Sequence, residues 1–317
     1  MRAYLIRRLV LLIPTLFIVT VILFLIIRLM PGDLIDIIQQ EMAGMVEISR
    51  EEVEHRLGLD VPIHIQYARW VRDIFVYGNL GTSLRTGRSV TDEILHRLPV
   101  TFELGLLAVV IANVVAIPIG VYSAIRQDTW GDYFGRTFSI LSLAAPAFWL
   151  ATMLIVYGSV YLNWSPSVQY IPFNKNPIGN LKMLLIPAIL VGTAMSGATM
   201  RYTRTFMLEV LRQDYVRTAW SKGLRERIVV IRHALRNALV PLITIMAPQV
   251  SVLIGGSVIM EQIFCLPGMG RYLLEMVVQR DYLIVSGTNL LFAGFTMILI
   301  LITDLSYAYL DPRIRYR

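Results

Sequence analysis

The stretch of sequence that decides the fold runs from Leu9 to Ile27 and reads LVLLIPTLFIVTVILFLII, 19 residues without a charged side chain. A helix rises about 1.5 Å per residue, so roughly 20 apolar residues cross the hydrocarbon layer of a membrane. The run is longer than the apolar region of a signal peptide, about 7–15 residues, and Arg28-Leu29-Met30-Pro31 offers no small-residue cleavage site. It therefore predicts an uncleaved first transmembrane helix.

Five further charge-free segments predict membrane spans, at 104–125, 137–174, 183–200, 237–260 and 282–303. The second of these is too long for one crossing, so we place its helix at about 138–162. Only 16% of the 317 residues are charged, against about a quarter in soluble domains. The single cysteine, Cys265, excludes an internal disulfide and a cysteine metal cluster. Together these features predict an all-α integral membrane protein with six transmembrane helices.

The basic residues indicate the orientation of the spans. Nine Lys and Arg residues fall between Arg201 and Arg236, in the loop that is internal when the N-terminus is internal. Because cytoplasmic loops collect Lys and Arg, both termini are predicted to be cytoplasmic in the cell (inner) membrane. The net charge of +7 is then explained by topology, so nucleic acid is not expected as a partner.

The chain divides into an N-terminal segment with the first helix (1–30), an outer loop (31–98), a core of five spans (99–310) and a tail (311–317). In the outer loop, Ser49-Arg50-Glu51-Glu52 is a capping box that predicts a helix start. A second, amphipathic helix is predicted after Pro62 and ends at Gly78; its apolar face comprises Ile63, Tyr67, Trp70, Val71 and Ile74. These helices form either a cap at the outer mouth or a helical pair on the membrane surface.

The inner loop, about residues 201–238, reads as a helix–glycine–helix. Asp214 to Gly223 predicts a short helix closed by glycine, which tolerates the left-handed backbone that ends helices. Residues 224–234 predict a second helix with Leu224, Ile228 and Ile231 along one stripe. The small residues Thr218, Ala219 and Ser221, ringed by positive charge, suit docking into another protein. A surface helix pair held by anionic lipid headgroups is the alternative.

The inner loop resembles a known motif. Arg217-Thr218-Ala219, followed after three residues by Gly223, is similar to the Glu-Ala-Ala-x-x-x-Gly loop of ABC importer permeases, and Lys222 through Pro241 resembles the dipeptide/oligopeptide branch of that family. Because Arg217 occupies the position of the motif's glutamate, a glutamate-specific contact is not carried over. Other pieces that resemble the branch stand in the same order, at 7–33, 78–83, 97–104, 261–271 and 280–282.

The resemblance implies a type I ABC importer transmembrane domain with a long helical outer loop after its first helix. It implies that the inner loop couples to an ATPase through Tyr215, Arg217, Thr218, Ala219, Lys222, Gly223, Leu224 and Arg232. The implied partners are a homologous second permease, two ABC ATPase subunits and an external substrate-binding protein. No phosphate-binding loop is present in the sequence, so ATP and magnesium are expected in the partner subunits and this chain is not expected to be an enzyme.

Polar residues within the spans are candidates for a translocation path: Asn113, Gln249, Ser251 and Asn289. They equally suit hydrogen bonds between helices, worth about 1 kcal/mol or less each. A proton-coupled carrier would need ionisable residues inside the spans, and a membrane enzyme would need a catalytic constellation there; neither is visible in the sequence. The expected substrates are di- and oligopeptides, with nickel, glutathione or another small solute as the alternative within the same branch.

Overall fold

The computed structural model describes residues 2–29, 60–83, 86–167, 169–256 and 258–310, and these ranges are almost entirely helical. The predicted capping box at Ser49 lies outside them. A π-helix, Val229–Leu235, lies between Ile228 and Arg236. The helices are α1 (Arg2–Leu29), α2 (Ile63–Tyr77), α3 (Val90–Ile125), α4 (Trp130–Ala144), α5 (Ala147–Leu162), α6 (Pro177–Leu211), α7 (Asp214–Ser221), α8 (Glu226–Ile228), α9 (Arg236–Gly256), α10 (Val258–Ile263), α11 (Met269–Val278) and α12 (Tyr282–Leu310).

The described ranges contain five segments long and apolar enough to cross a membrane, and the bent pair α4 and α5 provides a sixth span if it counts as one. This confirms the all-α membrane fold. Several helices extend beyond the charge-free runs, because a charged side chain at the end of a span reaches water without ending the helix. The five segments are Arg8–Ile26, Val90–Ile125, Pro177–Leu211, Glu226–Met246 and Tyr282–Thr303.

The prediction of a single helix over about 138–162 is wrong. The segment consists of the end of α4 and all of α5, and these two helices meet at an angle of 90°. The break falls at Ala145, whose backbone is extended (φ −86°, ψ 116°), and Pro146 then heads α5. Proline has no N–H to donate and disfavours helical geometry in the residue before it, which explains the turn.

The chain forms two compact units, of which the first contains Leu98–Arg271. Glycines let its helices approach closely: a Cβ on Gly192 of α6 would lie 2.8 Å from the carbonyl oxygen of Ala108 on α3. Likewise, a Cβ on Gly197 would lie 2.8 Å from the carbonyl oxygen of Ser139 on α4. The main core of this unit is formed by Val100, Leu104, Ala151, Leu184, Ala188, Met260, Phe264 and Leu266.

The second unit contains Ile6–Arg97 and Tyr272–Phe295. In it, the predicted amphipathic helix is confirmed as α2, which Gly78 ends with a left-handed backbone (φ 63°). The hydroxyl groups of Thr20 and Tyr67 are hydrogen-bonded at 2.8 Å, and the ring of Phe24 meets that of Tyr67 edge to face at 5.2 Å. Because Thr20 lies inside the apolar run of α1, α2 packs against the first membrane helix itself.

Candidate functional site

The inner loop contains the predicted short helix, α7, and its end is set by backbone geometry. The N–H of Lys222 donates to the carbonyl of Thr218 at 3.1 Å, and that of Gly223 donates to the carbonyl of Trp220 at 2.9 Å. Gly223 has a φ of 73°, and no atom lies within 4 Å of where its Cβ would stand. Glycine is therefore required here for its left-handed backbone and not for lack of space.

One face of α7 is buried against the protein's own helices. Val216, Ala219 and Val229 form a small apolar cluster, on which Val210, Leu211 and Leu224 pack. Ala219 is only 5% exposed, so it does not share an outward small face with Thr218 and Ser221 as the sequence suggested. The reason is its spacing of three from Val216, which places both side chains on the inner side of the helix.

In the following segment the predicted stripe of Leu224, Ile228 and Ile231 is not the buried face. Ile228 and Ile231 are 40% and 51% exposed, whereas Val229, Val230 and Ala234 are buried. The predicted stripe assumed α-helical periodicity from residue 224, but the helix begins at Glu226 and becomes a π-helix at Val229. The wider π-turn, with its i→i+5 bonds, changes which residues share a face.

Three of the predicted coupling residues, Tyr215, Arg217 and Thr218, lie on the outward face of α7. Thr218 donates its hydroxyl to the carbonyl of Asp214 at 2.9 Å, so this side chain is occupied within its own helix. The Tyr215 hydroxyl accepts a hydrogen bond from Nδ2 of Asn237 at 2.8 Å, which fastens α7 to the start of α9. Of the predicted coupling residues, those exposed are Tyr215, Arg217, Thr218, Lys222, Gly223 and Arg232; Leu224 is half-buried.

Trp220 is a candidate contact residue that sequence reasoning missed. Its side chain is 45% exposed at the edge of the buried face of α7. Helical spacing from Val216 predicts both position 219 and position 220 on the inner side, so the sequence signal does not distinguish a core tryptophan from an exposed one. Large aromatic residues that are half-buried at a surface are enriched among the residues that dominate protein–protein affinity.

Next to the inner loop lies a buried carboxylate that the sequence did not reveal. Asp132, in the first turn of α4, is fully buried and accepts hydrogen bonds from Nε and Nη2 of Arg204 at 3.0 and 3.1 Å. It also accepts from the hydroxyl of Ser123, from the guanidinium of Arg136 and, at 3.1 Å, from the N–H of Asp128. We call these five residues the Asp132 cluster; it joins α3, α4 and α6.

An exposed ion pair joins the same parts of the chain. Arg126, just after α3, lies 3.0 Å from the carboxylate of Glu226 in the inner loop. Together with the Arg204–Asp132 pair, it places the α3–α4 turn beside the inner loop. The α3–α4 turn and the inner loop are thus adjacent in the fold.

A second buried carboxylate, Glu261 of α10, organises the segment that precedes α11. Its two oxygens accept from the hydroxyl of Thr101 at 2.7 Å and from the N–H of Arg271 at 2.9 Å. The same Thr101 hydroxyl accepts from the N–H of Met269 at 2.9 Å. Glu261 thereby fixes the glycine-containing segment 266–271 against α3.

A third carboxylate, Glu103 of α3, holds the connection between α5 and α6. It accepts from the hydroxyl of Tyr170 at 2.9 Å and from Nδ2 of Asn180 at 2.8 Å. Burial, and then the hydrogen bond to the Glu103 carboxylate, raise the pKa of Tyr170 well above its usual range. The phenol therefore stays protonated and remains a donor at every physiological pH.

The polar residues predicted for a translocation path have mostly local partners. The side-chain amides of Asn113 and Asn289 donate to the carbonyls of Val109 and Val285 in their own helices, at 2.8 and 2.9 Å. The side-chain oxygen Oε1 of Gln249 on α9 accepts a hydrogen bond from the Thr199 hydroxyl on α6 at 3.1 Å, so this bond joins two helices. The side chain of Ser251 lies outside the described part of the structure. The path residues therefore remain a prediction.

Comparison with known proteins identifies the class. The family model described as "Binding-protein-dependent transport system inner membrane component" matches residues 116–316, and the model of the N-terminal part of that membrane component matches residues 1–105. The chain belongs to this family. It is therefore the multi-pass membrane permease of an ABC importer, a system that also requires a substrate-binding protein and an ATPase.

Individual relatives cover the whole chain. A putative peptide transport system permease protein of Brucella abortus is 41% identical over 317 residues, covering 100% of both chains. The oligopeptide transport system permease protein AppB of Bacillus subtilis is 39% identical, also over 100% of both chains. The glutathione transport system permease protein GsiC of Pectobacterium atrosepticum is 37% identical over 99% of both chains.

Proposed function

We propose that this chain is one of two homologous permease subunits of an importer for di- and oligopeptides. The conformational change of the ATPase subunits on binding ATP is transmitted to this chain through α7. Two ATPase subunits, which hold ATP and magnesium, dock on the inner loop, and an external binding protein delivers the substrate. Relatives named for peptides and oligopeptides support a peptide substrate. Glutathione, the substrate named for another relative, is itself a small peptide, so it fits the same proposal.

The observation that carries this proposal is the construction of α7. Val216 and Ala219 fasten one face of a short helix to the protein's own core, while Arg217, Trp220 and Lys222 remain exposed. A rigid, positively charged projection with an exposed tryptophan suits insertion into a groove of a partner, because preorganisation lowers the entropy lost on binding. A helix pair that merely lay on lipid headgroups would not need its inner face fixed in this way.

The same contacts support a cytoplasmic position for both termini. The Arg126–Glu226 and Asp132–Arg204 pairs join the α3–α4 turn to the inner loop, which holds nine Lys and Arg residues. Lys and Arg collect on the cytoplasmic side of membrane proteins. With the inner loop inside the cell, the N-terminus and the tail are inside as well.

Docking is tested by exchanging Trp220 for alanine in the complex assembled with its ATPase subunits. If the indole is a main contact, Trp220→Ala weakens retention of the ATPases by about 30-fold, which corresponds to about 2 kcal/mol. Trp149→Ala is the matched control, because Trp149 is similarly exposed (50%) but lies on α5. If the ATPases bind Trp220→Ala as tightly as the unchanged chain, α7 is not the docking element.

The substrate is tested separately on the binding protein. Purified binding protein is denatured, and the ligands that it releases are identified by mass spectrometry. We expect peptides of two or more residues, glutathione included. Release of nickel or of a sugar alone would refute the peptide assignment and leave the docking proposal intact.

A further inference from the structure

The geometry points to a positioning role for Asp132: its ion pair with Arg204 makes α4 follow the movement of α7, and so determines how much transport each ATP hydrolysis produces. This inference rests on the proposed docking of ATPases at α7. It concerns a residue pair that lies outside α7 and outside the candidate translocation path.

Arg204 lies at the end of the chain segment that leads into the docking helix. It is near the C-terminal end of α6, and only Arg212 and Gln213 separate α6 from α7. The buried cluster of Val216, Ala219 and Val229 also includes contacts with Val210 and Leu211 of α6. A displacement of α7 is therefore passed directly to the last turns of α6.

Asp132 is one point at which that displacement reaches α4. Two parallel hydrogen bonds, at 3.0 and 3.1 Å, connect its carboxylate to the guanidinium of Arg204. Asp132 is fully buried and Arg204 is 20% exposed, so water competes little for the pair. Bidentate bonds of this type fix orientation as well as distance. A sliding movement of α6 along α4 would break both bonds.

The helices around the pair are also packed without room for adjustment. A Cβ on Gly120 of α3 would lie 2.8 Å from the carbonyl oxygen of Met200 on α6. Asp128, in the turn between α3 and α4, has a φ of 56°, which is rare for a residue other than glycine. Its N–H donates to the Asp132 carboxylate at 3.1 Å. Asp132 thus stabilises the turn and the α4–α6 contact together.

These contacts suggest how the pair acts during transport. When the ATPases displace α7, the end of α6 moves as well. The Asp132–Arg204 pair then moves α4 together with α6. Because α4 continues into α5 through the 90° bend at Ala145, movement of α4 is passed on to the next membrane segment. Without the pair, α6 shifts past α4, and ATP is hydrolysed without import.

The test uses the complete complex, with both permeases, the ATPases and the binding protein, reconstituted in liposomes. The measured quantity is radiolabelled trialanine imported per ATP hydrolysed. We expect Asp132→Asn and Arg204→Lys each to lower this ratio about tenfold. Asp132→Asn removes the negative charge of the acceptor, and Arg204→Lys removes the pair of parallel bonds. The free energy of one charge-assisted hydrogen bond corresponds to a factor of about ten or more. Asp73→Asn is the control: it removes the exposed Arg72–Asp73 pair of α2, outside the inner loop, and its ratio is expected to stay within about twofold of the unchanged complex.

The outcomes separate this inference from the proposed function. A lowered ratio in a complex that still retains its ATPases supports the inference, because a purely structural defect lowers import and hydrolysis in proportion. An unchanged ratio in folded Asp132→Asn overturns it. If Asp132→Asn does not fold, Arg204→Lys decides in the same way. Loss of the ATPases from both variants, with Asp73→Asn normal, also overturns it, since the pair then only maintains the docking loop. If the unchanged complex does not bind ATPases through α7, the proposed function fails instead.

Discussion

Replacing Gly268 with alanine is expected to destabilise the protein through Glu261. A Cβ at position 268 would lie 2.2 Å from Cδ of Glu261 and 2.4 and 2.6 Å from its two oxygens. Since such contacts are not tolerated below about 3 Å, the carboxylate must move. It is held there by the hydroxyl of Thr101 and the N–H of Arg271, so moving it breaks or lengthens both bonds.

The magnitude follows from these two bonds. A hydrogen bond to a charged group contributes about 1.5–3 kcal/mol, so losing both would cost about 3–6 kcal/mol. Partial re-formation reduces this, and we expect about 3 kcal/mol. For a chain of this size, that corresponds to a fall of about 6 °C in Tm. The assay is thermal unfolding of the purified protein in detergent, followed by intrinsic tryptophan fluorescence.

Gly294→Ala is the matched control, because no atom lies within 4 Å of the position that its Cβ would take in α12. Alanine is also favoured over glycine in a helix by about 0.5–1 kcal/mol, so its Tm should stay equal or rise slightly. Thr101→Val removes the hydroxyl that bridges Glu261 and Met269, and it should lower the Tm by an amount similar to Gly268→Ala. If Gly268→Ala melts at the temperature of the unchanged protein, the carboxylate does not hold this segment.

Three further changes test other parts of the structure. Gly192→Ala forces a Cβ against the backbone oxygen of Ala108, which cannot rotate away, so it should cost about 1–3 kcal/mol in thermal unfolding; an unchanged Tm would mean that α3 and α6 are not in close contact. Gly223→Asn should retain ATPase binding because asparagine tolerates a positive φ, whereas Gly223→Val should weaken that binding by about tenfold. The measurement is the retention of the ATPases described for Trp220→Ala, and equal binding by both variants would show that the left-handed backbone is not needed. Tyr67→Phe removes the hydrogen bond to Thr20 but keeps the ring contacts, so it should lower the free energy of unfolding by about 1 kcal/mol. If Tyr67→Phe lowers it as much as Tyr67→Ala does, the ring contacts do not contribute to stability.

The positions of the membrane spans could be predicted from the sequence because their cause is local. Charged residues are expensive inside lipid, so charge-free runs mark the spans whatever the rest of the chain does. The end of α7 was predictable for the same kind of reason, since Gly223 permits a backbone that other residues rarely adopt. The amphipathic pattern of α2 was likewise sufficient to predict that helix.

The errors occurred where local patterns were ambiguous. Pro146 disfavours helical geometry in the residue before it, but the sequence does not state that α4 and α5 meet at 90°. After Gly223, helical spacing did not identify the buried residues Val229, Val230 and Ala234, because a π-helix changes the periodicity. Ala219 and Trp220 illustrate the same limit: a spacing pattern does not show how much of a neighbouring surface covers each residue.

The sequence by itself determined that this protein is a helical membrane permease with a basic inner loop, because hydrophobicity, charge and a contiguous motif are properties of neighbouring residues. Only the tertiary structure decided how that loop is held and what it is connected to. Arg204 and Asp132 are 72 residues apart, and Thr101 and Glu261 are 160 apart. Such pairs form because a charge buried between packed helices must find its hydrogen-bonding partners there, and the packing alone determines which residues are within reach.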